Sequence, residues 1–176
     1  MATNKMFFAG TGGMGVLLMG QMVGTAAIAE DKAVTFFPSY GPEMRGGTAN
    51  CTVIVSDKDI SSPVIFESDC VVAMTLPSML KFEPTLKPGG TLFINTSLIH
   101  QAPKRDDIKV YEVAATEMAQ ELGNLRVANI IMLGAFVRKT NIVSSENVEQ
   151  VIRDVFGTKK AELVELELKA FNYWKM

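Results

Sequence analysis

An arginine set between two glycine-rich turns is the strongest chemical signal in the chain: Phe37-Pro38-Ser39-Tyr40-Gly41-Pro42-Glu43-Met44-Arg45-Gly46-Gly47-Thr48-Ala49-Asn50. Proline confines the residue before it to extended geometry, and glycine reaches backbone angles that a Cβ makes costly. Pro38 and Pro42 therefore shape the segment, while Gly46 and Gly47 can turn bare N–H groups outward beside the planar fork of Arg45. That combination suits a carboxylate or a phosphate. The same residues also make a tight connection with Arg45 solvated or paired to Glu43, and the loop alone leaves both readings open.

A second anion-type feature lies near the start. Gly10-Thr11-Gly12-Gly13-Met14-Gly15 satisfies the G-x-G-x-x-G pattern, after a short apolar run and before a stretch of helical length. In that context backbone N–H groups at a helix N-terminus face a phosphate and the glycines let it approach; alternatively the glycines only allow strand and helix to pack closely. An independent NAD- or FAD-binding Rossmann-type oxidoreductase is the competing enzyme reading, and a purely structural assembly subunit is the other alternative. A nicotinamide enzyme of that kind wants an acid at the end of the second strand. Here that strand ends Phe36-Phe37-Pro38, and Glu30 and Asp31 come too early. Other chemistries fail on inventory: Phe37 stands two before Ser39, so there is no G-x-S-x-G elbow, no Walker lysine follows the first glycines, and no Gly-Asp-Gly segment is present.

Cys51 and Cys70 are the two cysteines and His100 the single histidine. A structural zinc or an iron–sulfur cluster needs about four such ligands, so this chain is expected to hold neither, and any cluster must belong to a partner. The thiols are expected to be buried small hydrophobes, and His100 a surface residue.

These groups need a scaffold. Lys5 to Gly10, the glycine turn, Val16 to Ala29 and Ala33 to Phe37 read as strand, turn, helix, strand, the opening of an α/β fold with helices over a largely parallel sheet. Thr48 to Ser56 reads as a central strand leading away from the arginine loop. Further strands are expected at Val71 to Met74, at Thr91 to Asn95 after a Lys87-Pro88-Gly89-Gly90 turn, and at Lys109 to Val113. Helices are expected at Pro77 to Phe82, at Ala114 to Leu122 with a Gly123 stop, and at Ala128 to Arg138. Another begins at a Ser144 or Ser145 cap and ends at Gly157, and an amphipathic helix over Lys159 to Tyr173 covers the sheet or docks on another subunit.

A chain of 176 residues is expected to form one domain. It is 48% hydrophobic and 20% charged, with net charge −2 and no basic face, which argues against nucleic acid as a partner. The start lacks the layout of a signal peptide, and Val16 to Ala29, broken by Gln21 and Thr25, is too short to cross a bilayer. A cytoplasmic protein without membrane contact is the expectation.

Taken together, the two glycine motifs resemble the gamma subunit of 2-oxoacid:ferredoxin oxidoreductases. The likeness continues through Ser61-Ser62-Pro63, Leu86-Lys87-Pro88-Gly89-Gly90, the strand ending at Asn95, and Asn129 ahead of Leu133-Gly134-Ala135. The resemblance implies a three-layer α/β/α fold with a largely parallel or mixed central sheet and a Rossmann-like opening unit. It implies a chain that works with alpha and beta subunits and a ferredoxin-like delta subunit, and is inactive alone. In such complexes thiamine diphosphate and Mg2+ sit between alpha and beta chains, iron–sulfur clusters pass electrons to ferredoxin, and coenzyme A accepts the acyl group. No cofactor is expected on this chain alone. The implied reaction is oxidative decarboxylation of a 2-oxoacid with coenzyme A to acyl-CoA, carbon dioxide and reduced ferredoxin. The Tyr40 to Asn50 segment looks most like 2-oxoglutarate or branched-chain 2-oxoacid (ketoisovalerate) members. The family motifs fall on Gly10, Gly12, Gly13, Gly15, Tyr40, Gly41, Glu43, Arg45, Gly46, Gly47, Asn50 and Asn129, which are candidates for the coenzyme A or anion side of the site, with no catalytic step assigned.

Overall fold

The computed structural model describes residues 2–41 and 47–175. Six strands form one mixed sheet: β1 (Thr3–Thr11), β2 (Ala33–Tyr40), β3 (Thr48–Ser56), β4 (Ser68–Ala73), β5 (Leu86–Asn95) and β6 (Lys109–Val113), in the order β2-β3-β1-β4-β5-β6. β3 is antiparallel to both neighbours, with Met6 opposite Val53 and Phe36 opposite Val53, whereas β1, β4, β5 and β6 run parallel. The expected central strand at Thr48 to Ser56 is therefore interior but reversed, and it separates β1 from β2.

The helices are α1 (Val16–Ile28), α2 (Leu76–Phe82), α3 (Ala115–Glu121), α4 (Ala128–Thr140), α5 (Ser145–Phe156) and α6 (Ala161–Phe171). Strand residues alternate between faces, so Met6, Phe8, Cys51, Val53 and Val72 point to the larger core, which α1, α3, α4, α5 and α6 fill. Phe7, Ala9, Val71 and Leu92 point the other way, onto α2 with Met79 and Phe82. The sheet is thus sandwiched between helices, as the three-layer expectation required. α6 packs on α4 and α5, burying Ala170 and Phe171.

Several local expectations hold at the level of hydrogen bonds. Ser144 caps α5, its hydroxyl accepting from the Asn147 N–H at 3.2 Å. Gly123 follows α3 with φ +80°, an angle that favours glycine. Gly157 also follows its helix, but with φ −62° it ends α5 in ordinary right-handed geometry. One expectation is corrected. Lys87-Pro88-Gly89-Gly90 is not a turn before a strand; it lies inside β5, where pairing shifts from Ser68–Leu86 to Cys70–Thr91. The extra residues are a bulge, which a sequence rich in glycine and proline accommodates without ending the strand.

α1 has no side-chain cap and no acidic residue in its first turn. A cap contributes about 1 kcal/mol. Burying Met19, Met22 and Val23 contributes roughly 1.5–3 kcal/mol each, so packing holds this helix and its first amides remain uncommitted to side chains.

Candidate functional site: a glycine-rich cleft at the carboxyl edge of the sheet

Both glycine motifs come together at the carboxyl end of β1. The Gly12 N–H donates to the Gly47 carbonyl at 2.7 Å, and the Gly41 N–H donates to Thr48 O at 3.0 Å, so the β2–β3 hairpin end is tied to the turn that opens α1. Glu43, Arg45 and Gly46 lie outside the described residues. A cleft of about 490 Å³ lies at this junction, lined by Gly12, Gly13, Gly15, Leu17, Gln21 and Tyr40 among others. Tyr40 is 56% exposed at its rim.

Each described glycine of the turn has a separate reason. A Cβ on Gly10 would lie 2.9 Å from Val16 Cγ1 and 3.2 Å from Met74 Cβ, so Gly10 serves strand–helix packing. Gly13, φ +94°, is exposed and a Cβ there would meet nothing within 4 Å. Its requirement is conformational. Gly15, φ +73°, occupies the N-cap of α1, and a Cβ would collide with the Asn129 side chain. From this cap the chain enters the helix with the N–H groups of its first turn at the cleft, where an anion is favoured.

Asn129 enters from the first turn of α4. It is 4% exposed; its Nδ2 donates to Gly15 O at 3.3 Å, and its Oδ1 has no partner among the described residues. Asn129 does not line the cleft but braces the residue that does, and the N-terminal ends of α1 and α4 meet through it. Gly41 likewise supports the hairpin end. Asn50 is placed elsewhere: it lies opposite Ala9 and so faces the α2 side of the sheet, while its neighbour Ala49 lines the cleft.

A second cleft of about 290 Å³ lies on the other side of Gly13, lined by Met14, Met74, Leu98, Thr116 and Arg126 among others. Its walls are joined by Asn95 at the end of β5, whose Nδ2 donates to Thr116 Oγ1 at 3.0 Å and to Met74 O at 3.3 Å. This lies where successive connections leave β1 and β4 for opposite faces of the sheet, the position at which open α/β sheets place ligands. Sequence reasoning missed Arg126, Gln21 and Thr116. The one signal in reach was Arg126 standing directly before an apolar helical stretch, where cations are disfavoured.

Among the described residues no group of three or more His, Cys, Asp or Glu could hold a metal ion. Cys51 and Cys70 are buried; burial pushes the Cys51 thiol up to about 12 and raises that of Cys70 as well, so neither offers a ready thiolate. His100 is exposed. No helix among the described residues is long and apolar enough to cross a membrane.

Comparison with known proteins identifies the family of the chain. The family model for pyruvate ferredoxin/flavodoxin oxidoreductase matches residues 5–173. The chain is 36% identical over 160 residues to 2-oxoglutarate synthase subunit KorC of Methanocaldococcus jannaschii, covering 88% of this chain and 86% of that one. It is 34% identical over 162 residues to ketoisovalerate oxidoreductase subunit VorA of Methanothermobacter marburgensis, covering 92% of this chain but 34% of the longer relative. In structure it is similar to the gamma subunit of a keto/oxoacid ferredoxin oxidoreductase from Geobacter sulfurreducens, with TM-score 0.80 and 32% identity over 96% of this chain and 94% of that one. With the family model matching residues 5–173 and relatives more than 30% identical over most of both chains, the chain belongs to the pyruvate ferredoxin/flavodoxin oxidoreductase family.

Proposed function

We propose that this chain is the gamma subunit of a multisubunit 2-oxoacid:ferredoxin oxidoreductase. The complex oxidatively decarboxylates a 2-oxoacid with coenzyme A, giving acyl-CoA, carbon dioxide and reduced ferredoxin. Its partners are alpha and beta subunits, a ferredoxin-like delta subunit, and ferredoxin itself, in the cytoplasm. The relatives act on 2-oxoglutarate or ketoisovalerate by name, and these are the first substrates to test.

The observation that carries the reading is the Gly12–Gly47 hydrogen bond, which joins two separate sequence motifs into one cleft at a helix N-terminus. In this proposal the whole chain acts as one domain, and the cleft lies on the coenzyme A or substrate side of the complex. Uncommitted amides of α1, with Arg45 from the adjoining loop, hold an oxyanion there. In this proposal thiamine diphosphate, Mg2+ and iron–sulfur clusters are assigned to the other chains of the complex.

Reconstitution tests this. The purified chain is expected to be inactive with any 2-oxoacid, and the assembled complex to reduce ferredoxin when a 2-oxoacid and coenzyme A are both present. Arg45→Ala in that complex should raise the KM for coenzyme A or for the 2-oxoacid. Tight binding of NAD or FAD by the isolated chain, with no 2-oxoacid-dependent ferredoxin reduction by the complex, would sink the proposal; unchanged kinetics in Arg45→Ala would remove Arg45 from the site.

A further inference from the structure

The other described arginines are engaged. Arg105 pairs with Asp107 at 2.5 Å, Arg138 donates to Phe171 O at 2.8 Å and to Asn172 Oδ1 at 2.6 Å, and Arg153 lies 3.6 Å from Glu149. Arg126 differs. Its backbone N–H donates to Asn124 Oδ1 at 3.0 Å, but its exposed guanidinium has no ion pair or hydrogen bond with any described residue.

Its position makes this unusual. Arg126 sits in the short turn directly before α4, at the end of a helix where positive charge is disfavoured. The N-terminal end of α1 reaches the same place through Gly15 and Asn129. Neither helix has an acidic residue in its first turn, and no carboxylate lines either cleft. Three sources of positive potential therefore converge with no counter-charge on the lining. Behind this junction, outside the lining of both clefts, Asn129 is 4% exposed and packs against the α1 cap with its Oδ1 unpartnered among the described residues.

Gly13 belongs to the lining of both clefts, and its missing side chain leaves the way between them open. Beyond it, Leu98 and Leu125, 43% and 59% exposed, give the second cleft an apolar rim next to Arg126. We propose that Arg126 is an anion-binding residue of this site: its guanidinium takes the phosphate or carboxylate oxygens of a ligand that lies across Gly13 from one cleft to the other. The planar fork of arginine suits two parallel hydrogen bonds to either group. The oxyanion's source, a coenzyme A phosphate or the carboxylate of the 2-oxoacid, rests on the function proposed above; the anion site itself does not.

The test has two arms. In the assembled complex, Arg126→Ala should raise the KM for the ligand that carries the oxyanion about tenfold, with kcat within about twofold, as expected when binding common to ground and transition states is removed. Arg126→Lys should recover part of the loss, and Arg153→Ala, a charge control on α5, should change neither KM. A rise for coenzyme A assigns a phosphate, and a rise for the 2-oxoacid assigns its carboxylate. In the second arm, inorganic pyrophosphate is titrated into the purified full chain by NMR. Shifts at Gly13, Gly15 and Arg126 are expected, lost in Arg126→Ala and weakened by salt. That arm reports on the site even if no 2-oxoacid supports turnover. Unchanged KM values with no pyrophosphate shifts would overturn the proposal. So would an Arg126→Ala chain that no longer assembles, since the guanidinium would then serve a partner's acid.

Discussion

Two glutamates contribute to the pH dependence of stability in opposite senses. Glu30 lies half-buried at the α1–β2 turn. Burial raises its pKa, but hydrogen bonds from Lys32 Nζ, the Ser144 N–H and Asn147 Nδ2 outweigh that and hold it at about 2, below the ordinary 4.5. Glu167, 6% exposed on α6, is pushed up to about 7 by burial, opposed only by the charge of Lys159. A depressed folded-state pKa gives stability that is present above 4.5 and lost as pH falls toward 2; a raised one gives stability that is complete below 4.5 and lost as pH rises through 7. Glu30→Gln should therefore cost about 1–3 kcal/mol at neutral pH, with the difference closing below pH 4.5. Glu167→Gln should instead stabilise by about 1–3 kcal/mol at pH 8 and be neutral in acid. Urea unfolding of both variants across the pH range checks the pair, and parallel pH profiles for the two variants would contradict it.

At the scale of elements, α4 and α6 approach so closely that a Cβ on Gly134 would run into the Phe171 carbonyl. That carbonyl already accepts from Arg138 Nη1 at 2.8 Å, so it has no freedom to retreat. Gly134→Ala should destabilise by about 1–3 kcal/mol despite alanine's better helix propensity, a change read from the thermal midpoint. An unchanged or raised midpoint would mean the helices can separate. The reason for Gly134 was out of reach of a linear reading, because Phe171 approaches from a distant part of the chain. Periodicity and punctuation did locate β3, β6, the Ser144 cap and the glycine turn, since these depend on neighbours in sequence. The bulge in β5 was misread as a turn, because Pro88 and Gly89 signal broken geometry but not whether the strand resumes its partner. In the site, the two glycine motifs were legible as shaped turns, each open to an anion-binding or a purely connecting role. Their joining through Gly12 and Gly47, and the arrival of Arg126 on the far side of Gly13, required the topology.

Across the whole molecule the sheet is unequally protected. β1 and β4 are paired on both sides and covered on both faces, whereas β2 and β6 are the outer strands, with Phe37 of β2 60% exposed. Amide hydrogen exchange of the full chain should be slowest in β1 and β4 and faster in β2 and β6. Uniform protection across the sheet would show that it opens only as one unit. The order of the strands carries one more consequence. β1 comes first in the chain but sits in the middle of the sheet, and both its neighbours, β3 and β4, arrive later. The β2–β3 hairpin can close on itself as soon as its two arms exist, while β1 can only wait. During synthesis on the ribosome, this apolar strand keeps both edges open until β3 is made through Ser56 and one edge open until β4 is made through Ala73, and in that interval it is a template for pairing with other chains.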